Sequence, residues 1–231
     1  MAQCGVASRR KSEELIVRGL VQVNGDTIRE PGFAVDPERD EIVVKGKKLT
    51  ASPQVYVMLN KPKGVVSTCE DTHGRQRVID LVPLQERLYT VGRLDMDTEG
   101  LLLLTNDGEL TFSLTHPSHE FEKTYCGLVR GCPDKASLER FRRGMDIEDY
   151  HTAPAAVRIL KQTRENTWLE MQIHEGKKRQ IRKMCAAIGH PIIELKRVAM
   201  GNITLGDLKP GEWRYLTKDE ITYLKGDKKL W

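Results

Sequence analysis

The stretch Gly92-Arg93-Leu94-Asp95-Met96-Asp97-Thr98-Glu99-Gly100-Leu101-Leu102-Leu103-Leu104 decides how the rest of this chain is read. Three acids fall within five residues, between two glycines, and run straight into four leucines. Such a run predicts a loop feeding a buried strand over Leu101–Thr105, with carboxylates held at the lip of a sheet. A carboxylate so placed can serve as nucleophile, general base or metal ligand. The same residues also fit an exposed acidic turn with Arg93 as its charge partner. Spacing alone leaves both open.

Working outward, apolar and alternating runs predict further strands at Val55–Leu59, Leu88–Val91, Lys123–Val129, Ala155–Leu160, Thr167–Ile173 and Ile192–Lys196. Helices are expected at Gln76–Leu81, Gly108–Thr115, Lys135–Arg143, Lys178–Ile188 and Lys218–Lys225. Strands arrive in sequential pairs rather than in strict alternation with helices, which favours an α+β fold with a mixed or antiparallel sheet. In Gly176-Lys177-Lys178-Arg179-Gln180-Ile181-Arg182-Lys183-Met184, the residues Ile181, Met184, Cys185 and Ile188 fall at helical spacing and form a buried stripe. Lys178, Arg179 and Arg182 share a neighbouring face. One arginine there can pair a carboxylate while the others meet phosphates, or the face is simply solvated.

The first fifty residues read as a small α+β unit. Ser8 caps a helix over Arg9–Arg18 with Leu15 facing inward, and Asn24-Gly25 turns a hairpin. A further strand is expected at Glu41–Val44, and the polar, turn-prone segment Lys48–Pro53 reads as a linker. The knot Arg9-Arg10-Lys11 and the run His174–Arg197 are two separate basic patches, as two surfaces touching one polyanion would be.

Composition narrows the class. The chain has 231 residues, of which 39% are hydrophobic and 30% charged, which excludes a disordered, collagenous or disulfide-stapled protein. Its longest apolar runs, Val55–Leu59, Leu101–Leu104 and Met184–Ile188, fall far short of the ~20 residues a membrane span needs. The first dozen residues hold no signal-peptide core, so a cytoplasmic protein is expected. Five scattered cysteines (Cys4, Cys69, Cys126, Cys132, Cys185) show no CxxC pair and read as small buried hydrophobes, and no His/Cys spacing suggests a metal. Net charge is only +4, so where the charge sits matters more than its sum.

Four segments in order, Lys61-Pro62-Lys63-Gly64, the Arg-Leu-Asp loop, Glu122-Lys123-Thr124-Tyr125 and Lys178–Met184, resemble the RsuA-type pseudouridine synthases. Gly5–Glu13 through Val23-Asn24-Gly25 resembles an S4 RNA-binding domain, although members carry several more residues before the segment that here begins Met1-Ala2-Gln3-Cys4. The resemblance implies an S4-like domain over residues 1–48, a linker over 49–54 and a catalytic domain over 55–231. That catalytic domain would have a central, mostly antiparallel mixed sheet flanked by helices and lined with an RNA-binding cleft.

The resemblance also implies chemistry. A uridine in ribosomal RNA, 23S rather than 16S, would be isomerised to pseudouridine by a monomer without cofactor or metal. Asp95 would be the catalytic carboxylate, as nucleophile or as base at the sugar. Arg182 would pair Asp95, and Tyr125 would stack on the uracil once the nucleotide is flipped from the RNA stack. Arg9, Arg10, Lys11, Lys61, Lys63, Arg93, Lys123, Lys178, Arg179, Lys183 and Arg197 would hold RNA. Asp97 is expected to support the loop. Three other readings compete: a non-catalytic RNA-binding or ribosome-assembly protein, a transferase with Asp95 and Asp97 as magnesium ligands, and a glycosidase with paired carboxylates.

Overall fold

The computed structural model describes residues 1, 4–36, 39–50, 52–116, 121–148 and 150–226. Two compact units emerge: Met1–Val55 with Leu84–Arg87 and Asn106–Gly108, and the remainder of the chain. In the first unit, helix α1 spans Arg9–Val17, and the Ser8 hydroxyl accepts the Lys11 N–H at 3.3 Å. The strands β1 (Val21–Val23), β2 (Asp26–Ile28), β3 (Ile42–Val44) and β4 (Lys47–Lys48) form a sheet in the order β2-β1-β3-β4. Asn24 and Gly25 both have positive φ (52° and 91°), the backbone of a tight hairpin whose twist matches its strands. Lys48, expected to open the linker, instead belongs to β4 with Lys47.

The second unit contains β5 (Tyr56–Lys61), β6 (Tyr89–Val91), β7 (Glu99–Thr105), all but the first residue of α2 (Gly108–Thr115), β8 (Lys123–Arg130) and α3 (Lys135–Arg143). A small hairpin follows, β9 (Asp146–Ile147) and β10 (Tyr150–His151). The chain continues through β11 (Ala156–Gln162), β12 (Asn166–Ile173), α4 (Gln180–Ala187), β13 (Ile192–Met200), β14 (Ile203–Thr204), β15 (Trp213–Tyr215) and α5 (Lys218–Leu224). Among the described residues, nine strands make one sheet in the order β11-β12-β8-β13-β7-β5-β15, with β14 on β13 and β6 on β7. All pairings in it are antiparallel except β13 with β7, so the sheet is mixed and mostly antiparallel. The helix expected at Gln76–Leu81 is a short 3₁₀ turn, Val78–Leu81. The two-residue strands, and β15, were not evident beforehand, because such short segments carry no periodicity.

Alternation assigns the faces. Cross-strand register aligns Met171, Tyr125, Arg197, Gly100 and Lys61 in one row across five strands, so these residues share a face. Met184 and Cys185 of α4 are fully buried, and the Cys185 thiol lies 3.7 Å from the sulfur of Met171, so α4 covers that face. Leu101 and Leu103 project to the opposite face, where they join Met58, Leu110 and Leu114 of α2, and Leu224 of α5 in one core cluster.

At the junction of β7 and β13 the backbones almost touch. A Cβ on Gly100 would lie 2.2 Å from the Arg197 carbonyl oxygen, and Gly100 has φ of +115°, a conformation side-chain-bearing residues rarely adopt. Gly100→Ala is therefore expected to cost about 3 kcal/mol or more. Equilibrium urea unfolding checks this, and a loss below about 1 kcal/mol would mean that the junction yields easily.

Candidate active site

The acidic loop hangs between fixed points. Leu94 is buried and pinned at both backbone atoms by Ser67, whose hydroxyl accepts the Leu94 N–H at 3.1 Å and donates to its carbonyl at 2.8 Å. The Met96 carbonyl accepts the Gly64 N–H at 2.8 Å, and Thr98 N–H closes a turn onto the Asp95 carbonyl at 3.0 Å. Thr98 is buried, while Asp95, Met96 and Asp97 are exposed. The two aspartates thus sit on a rigid tip, which is the arrangement a reactive carboxylate needs.

The basic segment meets that tip. Helix α4 begins at Gln180, two residues later than expected, so Lys178 and Arg179 belong to the preceding loop rather than to the helical face. Arg179 is the N-cap residue and takes a left-handed conformation (φ 55°, ψ 28°), which is unfavourable for a side chain of this type. Its guanidinium donates to both oxygens of Asp97 at 3.0 Å each, a bidentate pair, and lies 3.7 Å from an Asp95 oxygen. Arg182 donates to the Asp97 carbonyl at 2.9 Å and to the Thr98 hydroxyl at 3.3 Å, with the Asp97 carboxylate at 3.4 Å. The expected pairing of Arg182 with Asp95 is therefore corrected: Arg182 holds Asp97 and its backbone, and the cation beside Asp95 is Arg179. The later helix start turns Arg179 toward the tip of the loop and leaves Arg182 beneath its base.

Electrostatics follow the same partition. The hydrogen bonds from Arg179, with Arg182 nearby, hold the Asp97 carboxyl below the usual carboxylate range. Burial lowers the Arg182 guanidinium from the usual arginine value, opposed by Asp97. Its Nε is buried with no hydrogen-bond partner.

Several residues expected to hold RNA are part of the scaffold instead. Lys61 is fully buried, and its ammonium donates to the carbonyls of Pro62 at 2.9 Å and Val65 at 2.8 Å. Burial lowers its pKa to about 8 against the opposing pull of Asp97, Asp95 and Glu99. Lys123 donates to the carbonyls of Phe121 at 2.6 Å and His174 at 3.1 Å, and burial, with Arg197 nearby, brings it to about 8 as well. Arg197 is 3% exposed; its Nε donates to the Leu101 carbonyl at 2.8 Å, and one terminal nitrogen is buried without a partner. Lys61 and Arg197 are thus strand residues that looked surface-borne yet are buried, whereas Lys123 is tied to backbone carbonyls but half-exposed.

The other expected residues are more open. Lys63, Arg93 and Lys178 are exposed, as are Arg9, Arg10 and Lys11 on α1 of the first unit. Lys183 is half-buried and paired with Glu148 at 2.5 Å. Tyr125 is 8% exposed in β8, opposite Arg197. Sequence reasoning missed Ser67 and Thr98, which fix the loop. It also missed Glu175, which accepts the Ala153 N–H at 2.9 Å and a Gln180 side-chain N–H at 2.5 Å just ahead of α4. Nothing local marks these residues, since their partners lie 22 or more residues away or across a loop. Among the described residues, no group of three or more His, Cys, Asp or Glu side chains is placed to hold a metal ion.

A lowered Asp97 pKa means that its pairing stabilises the fold fully above the unfolded aspartate pKa of about 4 and stops doing so as pH falls through the lowered value. Asp97→Asn should therefore be less stable than the wild type at pH 6, with the gap narrowing as the pH falls below about 4 and through the lowered value. Urea midpoints measured across that range check the sign, and a gap that widened in acid would contradict it.

Comparison with known proteins agrees with this geometry. Residues 55–187 match the RNA pseudouridylate synthase family, and residues 1–42 match the S4 domain. Ribosomal large subunit pseudouridine synthase B of Bacillus subtilis (strain 168) is 44% identical over 228 residues, 97% of this chain and 93% of that protein. An uncharacterized RNA pseudouridine synthase of Aquifex aeolicus (strain VF5) is 42% identical over 226 residues, 97% of this chain and 91% of the relative. Among solved structures, a crystal structure of a pseudouridylate synthase superposes with a TM-score of 0.70 at 31% identity, covering 96% of each chain. With a family match over most of the second unit and relatives of this identity along nearly its whole length, the chain belongs to the RNA pseudouridylate synthases of the RsuA type, isomerases that here carry an S4 domain at the front.

Proposed function

We propose that this protein converts one uridine of 23S ribosomal RNA to pseudouridine in the cytoplasm, as a monomer, with Asp95 as the catalytic carboxylate. One observation carries the assignment of Asp95. Of the two exposed aspartates on the loop tip, Asp97 is engaged by both Arg179 and Arg182, whereas among the described residues the Asp95 carboxylate makes one long ion pair, at 3.7 Å. Asp95 is thus the carboxylate left to react, with a guanidinium beside it and a rigid loop beneath it. The choice of ribosomal RNA of the large subunit is supported by the name of the Bacillus subtilis relative.

In this reading, the uridine is drawn from the RNA stack so that its sugar meets Asp95. The N-glycosidic bond breaks with its electron pair leaving on the base, while Asp95 attacks C1′ or removes a sugar proton. The base turns in place and C5 bonds to C1′ as the Asp95–C1′ bond breaks, or as Asp95 returns the sugar proton, and the C5 hydrogen then leaves as a proton. Tyr125 supplies the aromatic wall for the uracil. Lys63, Arg93 and Lys178, exposed on the same unit, meet the RNA backbone, and the front residues 1–48 add a second grip through Arg9, Arg10 and Lys11.

Tritium release from ribosomal RNA labelled at uridine C5 tests the chemistry. Wild type should release about one equivalent per large-subunit RNA. Asp95→Asn should release none while binding RNA within about threefold of wild type, and Asp97→Asn should retain measurable turnover. An Asp97→Asn variant that is folded yet as inactive as Asp95→Asn would overturn the single-carboxylate assignment, and release from small-subunit RNA alone would move the substrate. Reversing Arg9 and Arg10 to Glu should weaken binding and reduce the slope of log affinity against log salt by about 1–2. An unchanged slope would remove the front unit from the interface.

A further inference from the structure

The second half of the catalytic unit has a layout of its own. Apart from the small β9–β10 hairpin between α3 and β11, elements β8, α3, β11, β12, α4 and β13 run as β-α-β-β-α-β, and their four strands lie in the antiparallel order β11-β12-β8-β13. One face of this half-sheet is sealed: Thr167, Leu169, Met171 and Ile173 of β12 are all buried. The residues between them, Trp168, Glu170 and Gln172, are half-exposed on the other face. That open face carries a cleft of about 630 Å³, bordered by Trp168, Cys126, Lys196, Glu99, Glu194 and Lys63. Its volume falls within the range of roughly 300–1,000 Å³ typical of small-molecule sites.

We propose that this face is a second RNA-binding surface, on which a base of the single-stranded RNA flanking the target uridine stacks against Trp168. The inference rests on the reading of the protein as an RNA-modifying enzyme. Four-stranded sheets with helices on one face and an aromatic side chain on the open face are a recurrent platform for single-stranded RNA, because every base offers a π-face to stack. Trp168 lies on the second strand of this half-sheet, opposite Leu128 of β8, on the face away from Met171 and α4.

Charge around the indole suits a nucleotide. Two of the nearby carboxylates are already neutralised within the sheet. Glu170 accepts from Arg158 at 2.6 and 2.9 Å, and Glu99 pairs with Lys196 at 3.0 Å. Lys63 is exposed at the rim for a phosphate, and exposed Glu194 offers an acceptor to a base amino group.

Two residues bordering the cleft, Lys63 and Glu99, flank the catalytic loop. Lys63 precedes Gly64, whose N–H holds the carbonyl of Met96, the neighbour of Asp95. Glu99 stands four residues after Asp95 at the start of β7. Asp95 sits at the strand ends and the cleft lies on the reverse face. A strand with its target at Asp95 therefore crosses the ends of β5 and β7 at Lys63 and enters the cleft beside Trp168.

The test uses the full-length protein with ribosomal RNA transcripts and with oligouridine. Trp168→Ala should raise KM for the transcript about tenfold with kcat unchanged, the lower part of the range for losing one base–aromatic stack, and Trp168→Phe should restore most of it. In wild type, RNA carrying 5-iodouridine beside the target should photocrosslink to the peptide containing Trp168, a readout that needs no variant to fold. A KM for Trp168→Ala within twofold of wild type, or crosslinks confined to other peptides, overturns the proposal while leaving pseudouridine formation intact. Conversely, oligouridine crosslinked at Trp168 by a protein that releases no tritium from any ribosomal RNA would uphold this surface and overturn the enzymatic reading.

Discussion

Two residue pairs, Glu99 with Lys196 and Gly100 with Arg197, join the halves of the large sheet through a parallel contact between β7 and β13. The contact is close enough that Gly100 has no room for a Cβ. Arg197 tightens it from the other side by donating to the Leu101 carbonyl. From this point the acidic loop runs back to Leu94 and Ser67, and β13 runs back toward α4. The relation of the aspartates to Arg179 and Arg182 follows from where the two backbones meet.

The cations around the loop show how burial sorts residues of one charge into different roles. Lys61, Lys123 and Arg197 lie on the packed face and hydrogen-bond to backbone carbonyls. A buried ammonium needs such acceptors because desolvation penalises its charged form, and the lowered values near 8 for Lys61 and Lys123 express that penalty. Arg179 and Arg182 instead spend their donors on the loop. Arg179 does so from a left-handed backbone, a strained conformation that the bidentate contact with Asp97 offsets.

The halves of the sheet also cover opposite faces. Helices α2 and α5 pack on the side of Leu101 and Leu103, whereas α4 packs on the side of Met171. Among the described residues, the α-helices placed on the two halves thus lie on opposite faces. Beside the junction that asymmetry produces a cleft reaching from Lys63 to Trp168, close in the chain to the catalytic loop yet on the reverse side of the strands.

Much of this was legible in the residues. Helices α2 and α3 begin and end where composition and capping placed them, and the buried stripe of Ile181, Met184, Cys185 and Ile188 is buried throughout. Asn24-Gly25 turned its hairpin, and the run into Leu101–Leu104 became the central strand. These are local signals, set by side-chain periodicity and turn chemistry within a few residues. The segments carrying the likeness to pseudouridine synthases were legible for a different reason, since chemistry constrains residue type wherever the chain folds. Which arginine stands beside Asp95, and that Lys61 and Arg197 are buried in the scaffold, was decided only by tertiary structure. A basic residue on a strand reads the same whether it faces water or a carbonyl, and the choice belongs to partners contributed by other parts of the chain.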